Sequence, residues 1–95
     1  MGNLASLHAI VYGQVQGVFF RAFVAEKAAG LGLTGYVRNL ETEEAVETRA
    51  EGERNKLEEL VKMLNIGPPH AKVTRVTTEW SAYSGKNKNF RINYF

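Results

Sequence analysis

The stretch GQVQGVFFR, residues 13–21, joins a strand-like segment to a helix-like segment of the 95-residue chain. Before it, Leu7, Ala9 and Val11 recur at every second position, which is the apolar period of a strand. After it, apolar residues recur at helical spacing and predict a helix over Phe20–Gly30. The stretch is therefore predicted to be a glycine-containing loop that leads from a strand into a helix N-terminus.

The remaining segments complete an α+β fold. TGYVRNL, EAVETRAE, AKVTRVTTEW and FRINYF are predicted strands, because their side chains alternate between apolar and polar positions. Leu57, Leu60 and Leu64 are spaced i, i+3 and i+7 and predict a second amphipathic helix. The order βαββαβ with a short fifth strand is typical of a ferredoxin-like fold, an antiparallel sheet with two helices on one face. We expect one domain over residues 1–95.

Four finer features of these strands and their connections are also predicted. The apolar phase of the fourth strand slips between Val73 and Val76, which indicates a bulge or a strong local twist. The segment between the second and third strands, residues 40–45, contains no glycine and is expected to form a longer turn than a two-residue hairpin. Glu47 and Glu51 are expected to be carboxylates on the strand surface, and Tyr94 is expected to pack at the edge of the sheet.

Composition excludes several classes of function. The chain has no cysteine, which removes disulfides, thiolate metal sites and a cysteine nucleophile. Its net charge of +2 is far from the basic stripe of a duplex-DNA binder. No segment reaches the roughly 18 apolar residues of a membrane span, and no secretory signal is seen. We expect a cytoplasmic protein that binds neither nucleic acid nor a membrane.

The loop at residues 13–21 is a candidate anion site. Backbone N–H groups converge in such a loop, and a helix N-terminus adds unpaired donors and the positive end of its dipole. A cation such as Arg21 is unfavourable in a first helical turn, and a bound dianion would compensate it. The loop lacks the Lys-Ser or Lys-Thr of a Walker A motif. The alternative is a simple turn with a solvated arginine, and the spacing alone leaves both open.

Asn39 ends the predicted second strand and is a candidate partner for the loop. Its amide both donates and accepts hydrogen bonds, so it can hold and orient a water molecule, but it cannot act as a general base. An ordinary asparagine in a turn is the alternative. His8 and His70 have no metal-ligand spacing with each other or with a carboxylate pair, and no metal site is predicted.

The motifs VYGQVQGVFFR and GYVRN, followed later by GPPHAKV, make the chain similar to the acylphosphatase family over about residues 7–95. The resemblance implies hydrolysis of the carboxyl–phosphate bond of a small-molecule acyl phosphate, without a metal or organic cofactor. It implies that Arg21 and the loop bind the phosphate, that Asn39 orients the attacking water, and that inorganic phosphate or sulfate competes. The phosphate-binding positions are Gln14, Val15, Gln16, Gly17, Val18, Phe19, Phe20 and Arg21.

Two alternatives keep the fold and change the function. One is a non-catalytic phosphate- or RNA-binding module, although RNA-binding domains of this fold usually carry aromatic residues on the third strand. EAVETRAE has none. The other is the acylphosphatase-like segment at the front of large carbamoyl-transferring maturation proteins, which carry zinc-binding cysteines farther along. The lack of cysteine favours a stand-alone enzyme, which we expect to be a monomer.

Overall fold

The computed structural model describes residues 3–94, which form a five-stranded sheet covered by two helices. In chain order the elements are β1 (Leu4–Gln14), α1 (Phe20–Gly30), β2 (Thr34–Asn39), β3 (Ala45–Glu53), α2 (Arg54–Ile66), β4 (Lys72–Ser81) and β5 (Phe90–Asn93). The strand order across the sheet is β4-β1-β3-β2-β5. The predicted ferredoxin-like order is confirmed, and the predicted bounds of α1 are those observed. Phe95, the last residue of the predicted fifth strand, lies outside the described residues.

One strand pair differs from the predicted antiparallel arrangement. β1 pairs with β3 and β4, and β2 with β3, in antiparallel register, whereas β5 lies parallel to β2. The reason is the path of residues 82–89, which carry the chain from the β4 edge to the opposite edge of the sheet. β4 and β5 are the two edge strands, so this connection spans the sheet and β5 pairs with β2 rather than with β4, the strand before it in the chain.

The core lies between the sheet and the two helices. Leu7, Ala9 and Val11 of β1 are fully buried there. The helices contribute residues at helical spacing, because only one stripe of each faces the sheet. These fully buried or nearly fully buried helix residues are Phe20, Val24, Ala28, Leu57, Leu60 and Leu64. Within residues 3–94, no helix is long and apolar enough to cross a membrane.

The predicted bulge lies in β4, opposite the end of β1. Tyr12 opposes Arg75 and Gly13 opposes Val73, so one residue of β4 has no opposite partner. Gly13 has φ 130°, and a Cβ atom there would overlap a backbone carbonyl oxygen of β4. Glycine is therefore required at position 13, one residue before β1 ends and the loop begins.

Glu47 and Glu51 lie on the face of the sheet away from the helices, but the prediction that they are surface carboxylates is wrong. Both are buried, at 9% and 5% exposure. Glu47 lies 2.7 Å from His8 Nε2 and accepts a hydrogen bond from Arg38 Nε. His8 and Arg38 cover Glu47, and the loop at residues 82–89 covers Glu51. The alternation of residues along β3 does not predict these contacts, because they come from other parts of the chain.

Glu51 fastens residues 82–89 to the sheet. It accepts hydrogen bonds from Ser84 N–H at 3.0 Å, Ser84 Oγ at 2.9 Å and Gly85 N–H at 2.9 Å. Burial raises the pKa of the Glu51 carboxyl, but the hydrogen bonds outweigh burial and hold this pKa below its ordinary value. The loop that delivers β5 to its edge therefore depends on an ionised carboxylate.

We expect Glu51→Gln to lower the free energy of unfolding at pH 7 by about 1–3 kcal/mol, because charge-assisted hydrogen bonds to a buried group are weakened. The folded-state pKa lies below that of the unfolded chain, about 4.3. The stabilisation is therefore complete above that value and is lost as the pH falls through the folded-state pKa.

Urea unfolding of both proteins at pH 7 and pH 3 measures this loss, and the difference between them should shrink at the lower pH. Glu59→Gln, a change at an exposed residue of α2, serves as the control and should change little at either pH. An undiminished difference at pH 3 would show that the Glu51 charge does not hold the loop.

Candidate active site

The loop between β1 and α1 has an unusual backbone. Val15 is fully buried and anchors it, while Gly17 has φ 72° and Phe19 has φ 62°. A left-handed conformation is unfavourable for a bulky residue such as Phe19, and it is retained only where the surrounding structure imposes it. Left-handed residues in a tight loop turn successive N–H groups toward one side, which forms an anion-binding concavity.

The backbone N–H groups of this loop lack acceptors in the described part of the chain. None of the N–H groups of residues 16–22 donates a hydrogen bond to an acceptor within residues 3–94. α1 begins at Phe20 with no side-chain cap and no acidic residue in its first turn. The partial positive charge at its N-terminus is therefore not offset locally.

Arg21 adds a full positive charge at the same place. No carboxylate of residues 3–94 lies within ion-pair distance of its guanidinium. The guanidinium lies 4.8 Å from the ring centroid of Tyr94, a cation–π contact that holds it in place. Tyr94 follows the edge strand β5, where the sequence places it, and it is 77% exposed.

Arg21 and Asn39 line one pocket of about 260 Å³. Gly17 and Phe19 of the loop and Tyr94 after β5 also line it. A second recess of about 340 Å³ is also lined by Arg21 and Asn39, together with more polar residues that include Gln16, Glu41 and Asn93. The fold therefore brings together Arg21 and Asn39, the predicted phosphate-binding and water-orienting residues.

The Asn39 side chain lies on the helix-facing side of β2. Asn39 is opposite Val46 of β3, and its Oδ1 atom is buried and has no hydrogen-bond partner within residues 3–94. A buried acceptor without a partner costs about 1–3 kcal/mol, and the great majority of such groups in folded proteins are paired. In a pocket, such an acceptor is suited to bind a water molecule or a ligand that donates a hydrogen bond.

Most of the predicted phosphate-binding residues line one of the two cavities, but two of them do not. Gly17, Phe19, Phe20 and Arg21 line the first pocket together with Val15, and Gln16 lines the second recess. Gln14 is the exposed last residue of β1, opposite Lys72, and neither Gln14 nor Val18 lines either cavity. Among residues 3–94, no group of three or more His, Asp or Glu residues is placed to hold a metal ion.

The model of the acylphosphatase family matches residues 7–92. The chain belongs to the acylphosphatase family. A curated acylphosphatase of Dehalococcoides mccartyi is 48% identical over 88 residues, which are 93% of this chain and 97% of that protein. The acylphosphatase structure from Coxiella burnetii is 42% identical with a TM-score of 0.89, over 96% of this chain and 94% of that one. The Bacillus subtilis acylphosphatase structure is 37% identical with a TM-score of 0.90, over 95% and 99%.

Membership of the acylphosphatase family confirms the predicted activity. The chain is a hydrolase that acts on small-molecule acyl phosphates. Sequence patterns identified the loop, Arg21 and Asn39, but they missed Tyr94. Its position follows from the parallel pairing of β5 with β2, which places residues after β5 beside the end of β2.

Proposed function

We propose that Arg21 and the backbone N–H groups of the loop bind the phosphoryl group of the acyl phosphate, and that Asn39 orients the attacking water. No metal ion takes part in this proposal. One observation carries it, namely that the pocket joins a concentration of positive charge to the buried Oδ1 of Asn39, which has no hydrogen-bond partner within residues 3–94. The first binds a dianion, and the second binds a molecule that donates a hydrogen bond.

The reaction requires little more than charge and position. The water oxygen forms a bond to phosphorus while the bond between phosphorus and the acyl oxygen breaks, and the electron pair leaves with the carboxylate. Since carboxylic acids have pKa values near 4, the leaving group needs no general acid. The water proton passes to the phosphate product. Charge in the transition state lies on the three equatorial oxygens, which face the N–H groups and Arg21.

Asn39 supplies the position of the nucleophile. Its Oδ1 accepts a hydrogen bond from the water, which leaves a lone pair of the water oxygen free to face phosphorus. Because Asn39 is held in the last position of β2, the water is held relative to a rigid sheet rather than to a mobile loop. Holding reactants in this way accelerates a reaction without any change of protonation.

The proposal also includes competition by inorganic phosphate and sulfate, since both carry the oxygens that the loop would bind. The expectations of a monomer, a cytoplasmic location and no nucleic-acid or membrane partner rest on the sequence and stay predictions.

We expect Arg21→Ala and Asn39→Ala each to reduce kcat/KM for benzoyl phosphate by about 10²-fold or more, the usual effect of removing one transition-state contact. Arg21→Ala should raise KM and lower kcat, whereas Asn39→Ala should mainly lower kcat. Phosphate release is measured in the presence of a metal chelator.

Arg91→Ala removes an exposed arginine of β5 that lines neither cavity and serves as the control, with unchanged activity expected. Wild-type activity no higher than that of both site variants would refute these roles. Loss of wild-type activity on chelation would refute the metal-free mechanism.

We expect inorganic phosphate to raise the melting temperature, because an anion that binds only the folded state stabilises it. A concentration of ten times Kd contributes about 1.4 kcal/mol, which corresponds to about 5–10 °C for a domain of this size. Differential scanning fluorimetry should show this rise for wild type and for Asn39→Ala, and a much smaller rise for Arg21→Ala. A full rise in Arg21→Ala would exclude Arg21 as the anion ligand.

A further inference from the structure

The side chain of Gln16 joins two segments that are far apart in sequence. Gln16 lies in the loop after β1, and its Nε2 donates hydrogen bonds to the carbonyl oxygens of Leu40 at 3.0 Å and Ala45 at 2.9 Å. A third carbonyl oxygen, that of Glu43, lies 3.3 Å away. These carbonyls belong to residues 40–45, the turn that immediately follows Asn39.

The turn at residues 40–45 has little structure of its own. One backbone hydrogen bond, from Leu40 N–H to Ala45 C=O at 3.0 Å, closes it. Between these residues it contains three exposed glutamates, Glu41, Glu43 and Glu44, whose like charges repel one another, and it has no glycine. Within residues 3–94, the carbonyl groups of Leu40 and Glu43 accept no hydrogen bond other than those from Gln16, whereas Ala45 C=O is shared between Gln16 and Leu40 N–H.

The chemistry of a primary amide suits this position. Its two N–H groups point in different directions, so it can satisfy both Leu40 C=O and Ala45 C=O and share a weaker contact with Glu43 C=O. A glutamate of the same size has no donor when it is ionised and one when it is protonated. The side chain at position 16 must therefore donate hydrogen bonds, and an acceptor of the same size and shape cannot replace it.

We propose that Gln16 is a positioning residue, which couples the loop of Arg21 to the turn after Asn39 and so fixes these two residues relative to each other. This inference rests on the proposed role of Asn39. Arg21 and Asn39 belong to separate elements, α1 and β2. The contacts of Gln16 join the segments beside them through a single side chain. Displacement of a catalytic group by about 1 Å costs up to about 10²-fold in rate.

A double-mutant cycle between Gln16 and Asn39 tests this coupling. We expect Gln16→Ala to lower kcat by about 10- to 100-fold, while the phosphate Kd, measured by thermal shift, changes less than about threefold because the backbone N–H groups and Arg21 remain. In the Asn39→Ala background, Gln16→Ala should lower kcat by less than about threefold, since the effect of Gln16 on kcat acts through Asn39. Asn65→Ala removes an exposed amide-to-carbonyl bond in α2 and is the matched control.

A second measurement uses Gln16→Glu, which keeps the size of the side chain. The ratio of its kcat to that of wild type should be low at pH 8 and rise toward pH 5, because protonation restores one donor. A ratio that stays flat over this range would overturn the proposal, even if Asn39→Ala is too slow for the cycle. Urea unfolding at pH 7 establishes that each variant is folded under the assay conditions.

The outcomes separate the two proposals. Additive losses in the cycle, with Asn39→Ala itself strongly impaired, would overturn the role of Gln16 and leave that of Asn39 intact. Equal losses of kcat and of phosphate affinity in Gln16→Ala would also overturn it, because they would indicate a general collapse of the loop. Wild-type activity in Asn39→Ala would overturn both.

Discussion

The passage from β1 into α1 leaves a series of backbone N–H groups without acceptors in the described chain, and the organisation of the site follows from this. Folded proteins rarely leave such donors unpaired, so the loop favours an anion. β1 ends at Gln14, two residues after the irregularity in its pairing with β4, and buried Phe20 anchors the helix that follows. Arg21 adds a charge where an arginine without an anion would be unfavourable. On the proposed mechanism, this local structure selects an anionic ligand independently of Asn39.

The sheet topology places the second half of the site beside the first. β1 and β2 both pair antiparallel with β3, which lies between them. They therefore run in the same direction, and their C-terminal ends lie at the same end of the sheet. The loop after β1 and Asn39 at the end of β2 are thus about two strand spacings apart, roughly 10 Å. β5 is parallel to β2 and ends there as well, which brings Tyr94 to Arg21. A pocket forms because three chain segments end together.

Much of this arrangement was predictable from sequence, because short-range periodicity reports which face of an element is buried. It placed α1 correctly, assigned Val37 and Asn39 to one face of β2, and located the bulge in β4. It failed where contacts join distant residues. Glu51 is covered by Ser84 and Gly85, more than 30 positions away. The parallel pairing of β5 depends on the path of an irregular connection, for which local patterns carry no signal.

The distribution of carboxylates fits a reaction that requires no acid or base. Glu47 and Glu51 lie on the face of the sheet opposite the helices, where they bind His8, Arg38 and a loop. Among the described residues that line the two cavities, the sole carboxylate is that of Glu41, which is exposed at the rim. A buried carboxylate near Arg21 would neutralise the charge that an acyl phosphate needs, and it would offer a proton acceptor that the leaving group does not require. On the proposed mechanism, the same separation explains why the site relies on an amide, a guanidinium and backbone N–H groups, none of which changes protonation near neutral pH.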